Sequence, residues 1–189
     1  MNKTEKVVLV DNDGNKIGLA NKSEVHTSST PLHRAFSIFI FNSQGQLLLQ
    51  QRALSKITWP GVWSNSCCGH PGDNESSEHA ASRRLFDELN LRVSERNIYN
   101  ILPDYSYRAE MHGIVENEIC PVLIAFTEDN ARPNPDEVEA VRWVNWKDFL
   151  IELDKNNDYS PWCNEEAKLL DSNKEFIEIY NKLVSDTAN

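Results

Sequence analysis

The run His33-Arg34-Ala35-Phe36-Ser37-Ile38-Phe39-Ile40-Phe41 constrains the fold more than any other stretch. The alternation of apolar and polar residues that marks a half-exposed strand is nearly lost in it, which predicts a central strand. Such a strand belongs to a mixed β-sheet core flanked by helices, an α+β sandwich. Ser43-Gln44-Gly45 turns the chain back into a second strand of the same sheet, Gln46 to Gln51. Lys6 to Val10, the turn Asn12-Asp13-Gly14, and Lys16 to Ala20 predict an N-terminal hairpin extension. Further strands are expected at Asp104 to Arg108, Val115 to Phe126 and Val141 to Val144, and a short helix from Trp146 to Leu153. Apolar residues spaced along 165–184 predict a C-terminal amphipathic helix or two packed outside the sheet. A chain of 189 residues suits one domain spanning 1–189.

Polar chemistry concentrates between residues 65 and 89. Asn65-Ser66-Cys67-Cys68-Gly69-His70-Pro71 brings thiols and an imidazole to a glycine-bearing turn, which lets backbone approach a phosphate. A helix is predicted from Ser77 to Leu89, capped by Asn74 or Ser76, with Ala80, Ala81, Leu85 and Leu89 as its inward stripe. On that helix Arg84 stacks with Glu88, and Arg83 with Asp87, as two surface ion pairs. Cys67 and Cys68, adjacent on an extended segment, face opposite ways, so only one can line a pocket. Beside Gly69-His70 a nearby cation would hold the Cys68 thiol close to its ionisation point. Cys120 and Cys163 read as small buried hydrophobes.

His26, His33 and His70 flank predicted strands and can converge with Glu116 and Glu118, which alternate onto one side of theirs. Three nitrogens with carboxylate oxygens suit Zn, Mn or Fe better than Mg alone, although no short spacing demands a metal. The net charge is -10, so a nucleic-acid surface is not expected and the dispersed cations Lys22, Arg52, Lys56 and Arg84 stand out. Together they form a candidate diphosphate clamp. The loop Ser160-Pro161-Trp162 offers an aromatic lid or cation-facing wall. No apolar run approaches the ~20 residues of a membrane span, and the cysteine spacing shows no disulfide framework, so a cytoplasmic protein with no membrane partner is expected.

Gly69, Glu75, Arg83, Leu85, Asp87-Glu88 and Leu91 resemble the Nudix box, with Arg84 and Asn90 departing from it. Trp59-Pro60-Gly61-Val62-Trp63, Cys68-Gly69-His70-Pro71, Tyr105-Ser106-Tyr107-Arg108, Val115-Glu116-Asn117-Glu118 and Ser160-Pro161-Trp162, in that order, closely resemble the type I isopentenyl-diphosphate isomerases of the Nudix superfamily. The resemblance runs from the first hairpin to Trp162. It implies interconversion of isopentenyl and dimethylallyl diphosphate through a tertiary carbocation, in isoprenoid precursor synthesis. It makes Cys68 and Glu118 the acid/base pair, puts Tyr107 beside Glu118, and stacks Trp162 over the hydrocarbon. His26, His33, His70, Glu116 and Glu118 would hold one divalent ion, Mn2+, Zn2+ or Mg2+. Glu88 would hold a Mg2+ that arrives with the diphosphate, whose oxygens Lys22, Arg52, Lys56 and Arg84 neutralise. A Nudix hydrolase and a diphosphate-binding module without turnover are the rival readings. The altered box speaks against the first, and the combined presence of Cys68, Glu118 and Trp162 against the second.

Overall fold

A computed structural model describes residues 5–155 and 158–185. The chain opens with the expected hairpin, β1 (Lys6–Val10) and β2 (Lys16–Asn21), followed by a single helical turn, α1 (Lys22–Val25). The apolar run then divides into β3 (His33–Arg34) and β4 (Phe36–Phe41), parting at Ala35. After β5 (Gln46–Arg52) come the short strands β6 (Trp63–Ser64) and β7 (Cys67–Gly69), then helix α2 (Ser77–Leu89). Strands β8 (Tyr99–Leu102), β9 (Ser106–Met111), β10 (Ile114–Ile119), β11 (Val122–Phe126) and β12 (Val138–Asn145) lead into α3 (Trp146–Leu153). Two helices end the described chain, α4 (Pro161–Ser172) and α5 (Lys174–Ser185).

Two sheets result. One runs β2-β1-β3-β10-β9; the other runs β12-β5-β4-β11-β8, with β6 on β5 and β7 on β4. They meet where two parallel pairs continue one another, since His33 lies opposite Glu118 in the first sheet and Ser37 opposite Val122 in the second. Backbone bonds from Ala35 to Ile119 (2.9 Å) and from Ser37 to Pro121 (3.1 Å) carry the ladder across without a slip. Residues 115–126, expected as one strand, are therefore two that bend at Cys120-Pro121, where proline removes a ladder donor. Strand β8 was not foreseen.

All six residues of β4 are buried, because layers cover both its faces. Phe36, Ile38 and Ile40 pack with Ala80, Ala81, Leu85 and Leu89 of α2, while Phe39 and Phe41 pack against α3, α4 and α5. Each buried leucine contributes roughly 1.5–3 kcal/mol through apolar burial, and Leu85→Ala would cost roughly 2–5 kcal/mol once its cavity is included. Of the two candidate caps Ser76 serves, its hydroxyl accepting from the His79 N–H at 3.1 Å. Asn90, in the left-handed region at φ 54, closes the other end. This fixes which side chains α2 presents at its C-terminal half.

Candidate active site

The first part of the site grows from β10. Its pleat sends Glu116 and Glu118 to one side, where His26 (after α1), His33 (opening β3) and His70 (after β7) converge. Glu118 Oε1 lies 3.1 Å from His70 Nε2 and 3.3 Å from His33 Nε2, and the two ring nitrogens are 3.2 Å apart. Ligand atoms of His26, His33, His70 and Glu118 all lie within 4.8 Å of one another. His33 Nδ1 donates to the Pro31 carbonyl at 2.9 Å, which turns Nε2 toward the cluster. His26 Nε2 and Glu116 Oε2 stand 3.0 Å apart yet form no hydrogen bond. That is how two ligands sit around a shared cation, and the residues fit a divalent ion.

Charges in the cluster are divided unevenly. Burial works against the Glu118 carboxylate, but the His33 and His70 hydrogen bonds overcome it and hold the group well below the usual carboxylate range. At His33 the attraction of Glu118 likewise outweighs burial and raises the pKa, whereas at His70 burial wins and lowers it.

The second part is the thiol. Cys67 is sealed against the α2 layer while Cys68 packs on the opposite face, so the two cysteines divide as expected. Cys68 Sγ donates to Asn65 Oδ1 at 3.2 Å, and that oxygen is fixed because Asn65 Nδ2 donates to the Ile38 and Cys67 carbonyls. Ser37 Oγ sits 3.4 Å from Cys68 Sγ and 3.5 Å from Cys120 Sγ. The expectation of a thiol near its ionisation point is corrected. Burial, reinforced by Glu166, pushes Cys68 up to about 12, and Ser37, Arg52 and Asn65 only partly oppose it. At neutral pH the sulfur keeps its proton. Cys120 and Cys163 are buried, as anticipated.

Residues of both parts line a single cavity of about 410 Å3, Cys68, His70, Glu116 and Glu118 together with Lys22, Arg52, Lys56, Arg84 and Glu88. Three of its cations are already paired: Lys22 with Glu5 at 3.0 Å, Lys56 with Glu137, and Arg84 with both Glu88 and, at 3.3 Å, Glu137. Arg52 is held by Thr58, its Nε donating to the carbonyl at 3.1 Å and its NH2 to the hydroxyl at 2.9 Å. Arg84–Glu88, expected on the surface, is buried. Arg83 makes its closer pair with Glu75 at 2.9 Å, against 4.0 Å to Asp87.

Trp162 is not on a loop. Ser160 and Pro161 are the N-cap and first residue of α4, so the indole sits in the first turn and is 2% exposed. It packs on Trp59 (5.1 Å between centroids) and Tyr107 (5.3 Å), with the Arg52 guanidinium 6.0 Å from its ring. Tyr107 is the cross-strand neighbour of Glu118. Neither Trp162 nor Tyr107 lines the cavity in this conformation; they stand behind its wall. Sequence reasoning missed Glu166, a fully buried acid on α4. Its spacing, four residues after Trp162 and one before Ala167, was the available signal.

A model of the Nudix domain matches residues 31–163. An isopentenyl-diphosphate Delta-isomerase of Saccharopolyspora erythraea is 51% identical over 165 residues, covering 86% of this chain and 84% of that one. One from Corynebacterium glutamicum is 45% identical over 182 residues, covering 94% and 96%. Among solved structures, DR0079 from Deinococcus radiodurans is similar at TM-score 0.68 and 20% identity, over 87% of this chain and 98% of that one. A MutT protein from Methanosarcina mazei is similar at TM-score 0.58 and 16% identity, over 80% and 94%. These two likenesses show a shared fold.

Proposed function

The chain belongs to the Nudix family and within it to the isopentenyl-diphosphate Delta-isomerases, and from that premise we propose which of its residues carry the reaction. It is an isomerase of isoprenoid precursor synthesis, interconverting isopentenyl and dimethylallyl diphosphate. The double bond moves when one carbon gains a proton and another, two positions away, loses one, with a tertiary cation between. Cys68 and Glu118 are the two proton-transferring groups, and because the reaction is reversible each serves as acid in one direction and base in the other. The observation that carries this assignment is that both line one cavity that Lys22, Arg52, Lys56 and Arg84 also line.

Those four cations bind the diphosphate, and this remote binding energy holds a small, featureless hydrocarbon in register. Glu88 would hold a Mg2+ that accompanies the diphosphate. His26, His33, His70, Glu116 and Glu118 would hold a resident ion, Mn2+ or Zn2+ or Mg2+, the nitrogen-rich set favouring the first two. Such an ion would supply positive charge that lowers the proton affinity of Glu118. Tyr107, beside Glu118, completes the relay. Trp162, which stands behind the cavity wall in this conformation, has to come forward to turn its π face to the cation, a contribution of about 2 kcal/mol when desolvated, and with Trp59 and Tyr107 it excludes the water that would quench the intermediate.

We further read residues 1–189 as one domain working in the cytoplasm on a small-molecule prenyl diphosphate. All four cysteines are free, which suits a reducing compartment, and no described helix is long and apolar enough to cross a membrane. Incubating the protein with isopentenyl diphosphate in deuterated water, with and without a chelator, tests the assignment. Deuterium should enter the dimethylallyl product of the wild type and not that of Cys68→Ala. Undiminished label in Cys68→Ala would refute it.

A further inference from the structure

Glu88, Glu116 and Glu118 have roles above; among the described residues Glu166 is the remaining buried acid. Neither of its carboxyl oxygens closes a hydrogen bond, and the indole Nε1 of Trp162, one turn earlier on α4, is likewise unpartnered. A buried polar group left without a partner costs roughly 1–3 kcal/mol. Three such atoms on one helix face, beside the thiol, are a liability that packing alone does not account for.

That face looks onto sulfur. After burial itself, Glu166 is the group whose ionised form would most raise Cys68, Cys120 and Cys163. In the other direction Ser37 acts on Glu166 as a hydrogen-bonding neighbour, without closing a bond in this conformation. The Ser37 hydroxyl stands between Cys68 and Cys120, and the Cys68 thiol donates to an Asn65 oxygen that cannot turn away. Asn65 is thus the fixed acceptor at one end of a chain of donors, and Glu166 lies at the other.

The direction of the chain depends on whether Glu166 carries a proton. Burial pushes it well above the usual carboxylate range, opposed by Ser37 and helped by Glu118 and Glu165, so it is the neutral acid. A neutral acid donates to the Ser37 oxygen, leaving the Ser37 proton for the Cys68 sulfur. A carboxylate would draw that proton to itself, and a side chain with no donor would leave it shared between Cys68 and Cys120.

We propose that Glu166 is a positioning residue for Cys68: acting through Ser37, it sets a donor chain Glu166, Ser37, Cys68, Asn65 that holds the thiol in one orientation toward the cavity. The proposal rests on the reading of Cys68 as an acid/base group. It is tested by steady-state kinetics and thermal unfolding of Glu166→Leu, Glu166→Met and Glu166→Gln beside Cys68→Ala. Leucine and methionine remove the donor and the unpartnered acid together, so Tm should hold or rise while kcat falls about five- to tenfold, the size of one hydrogen bond, at unchanged KM. Glutamine still donates and should restore most of the lost turnover. Full kcat in the leucine or methionine variant, or glutamine as impaired as they are, would overturn the proposal. So would a fall in Tm together with a rise in KM, which marks a packing role. Should the leucine variant not fold, the methionine–glutamine pair makes the same comparison. Turnover surviving in Cys68→Ala would instead overturn the reading of Cys68.

Discussion

Glu118 and Glu166 are the same residue type, both buried and both near Cys68, yet their protons are held in opposite ways. Glu118 sits among imidazoles that donate to it and stays ionised; Glu166 sits among thiols and aromatic rings with no donor in place and stays neutral. The nitrogen-rich side of the cavity is built to stabilise charge, the sulfur-rich side to avoid it. On the proposed assignment the alkene takes its proton from the neutral thiol, and the cation then lies between the Glu118 carboxylate and the thiolate left behind. The difference teaches that environment, not side-chain identity, decides which buried acid keeps its proton.

The largest test of this contrast removes each flank in turn. Cys68→Ala and Glu118→Gln should each lower kcat by roughly 10²- to 10⁴-fold, the range of a lost general acid or base. Inorganic pyrophosphate affinity, read by calorimetry, should stay within a few-fold. Cys67→Ala, on the far face of β7, should keep its turnover, and equal losses from the two cysteine substitutions would break the assignment. Next in size is the response to metal removal. A cation bound at about 100 times its Kd stabilises by roughly 2.7 kcal/mol, so a chelator should lower the Tm of the wild type by several degrees. His33→Ala should show no further drop with chelator; an unchanged wild-type Tm would remove the cation from the account.

Arg84→Ala should raise KM with little change in kcat, because the contact it loses is made in ground and transition state alike. A fall in kcat alone would give Arg84 a different part. The smallest effect concerns pH and stability. An acid whose pKa is raised on folding stays protonated in the native state while the unfolded chain ionises, so stability declines as pH rises above about 4.5. Urea midpoints of wild type and Glu166→Gln should accordingly draw apart from pH 5 to pH 8, with the variant the more stable. Parallel curves would mean that Glu166 is ionised in the native protein and that the contrast with Glu118 is absent.

What was legible in the sequence followed local chemistry. The bounds of α2 and α3 are those expected, because capping residues and apolar periodicity are written into the segments themselves. Spacing alone left the convergence of the histidines with Glu118 open, and it was the family resemblance that gathered them into one set, which the structure brings together. Three features did not emerge, each dependent on distant packing. The bend at Cys120-Pro121 hides because β-branched Ile119 and Val122 flank it on either side. Ser160-Pro161 reads as loop, although the same pair is an N-cap and first helical residue once α4 has a core to lie on. Glu166 interrupts an apolar stripe and passes for a solvent-facing acid until the layer above it is in place. The buried Arg84–Glu88 pair was misjudged for the same reason: an isolated helix cannot show which of its charges a neighbouring loop will cover.

The unslipped ladder that crosses from one sheet into the other has a consequence for how such a chain can change. Adding or removing one residue at Ala35 would turn His33 to the opposite side relative to β4, and the same change at Cys120 would do so to Glu118 relative to β11. Tolerance to insertion should therefore fall to a sharp minimum along this seam, where a single extra residue would dismantle a constellation drawn from four separate segments.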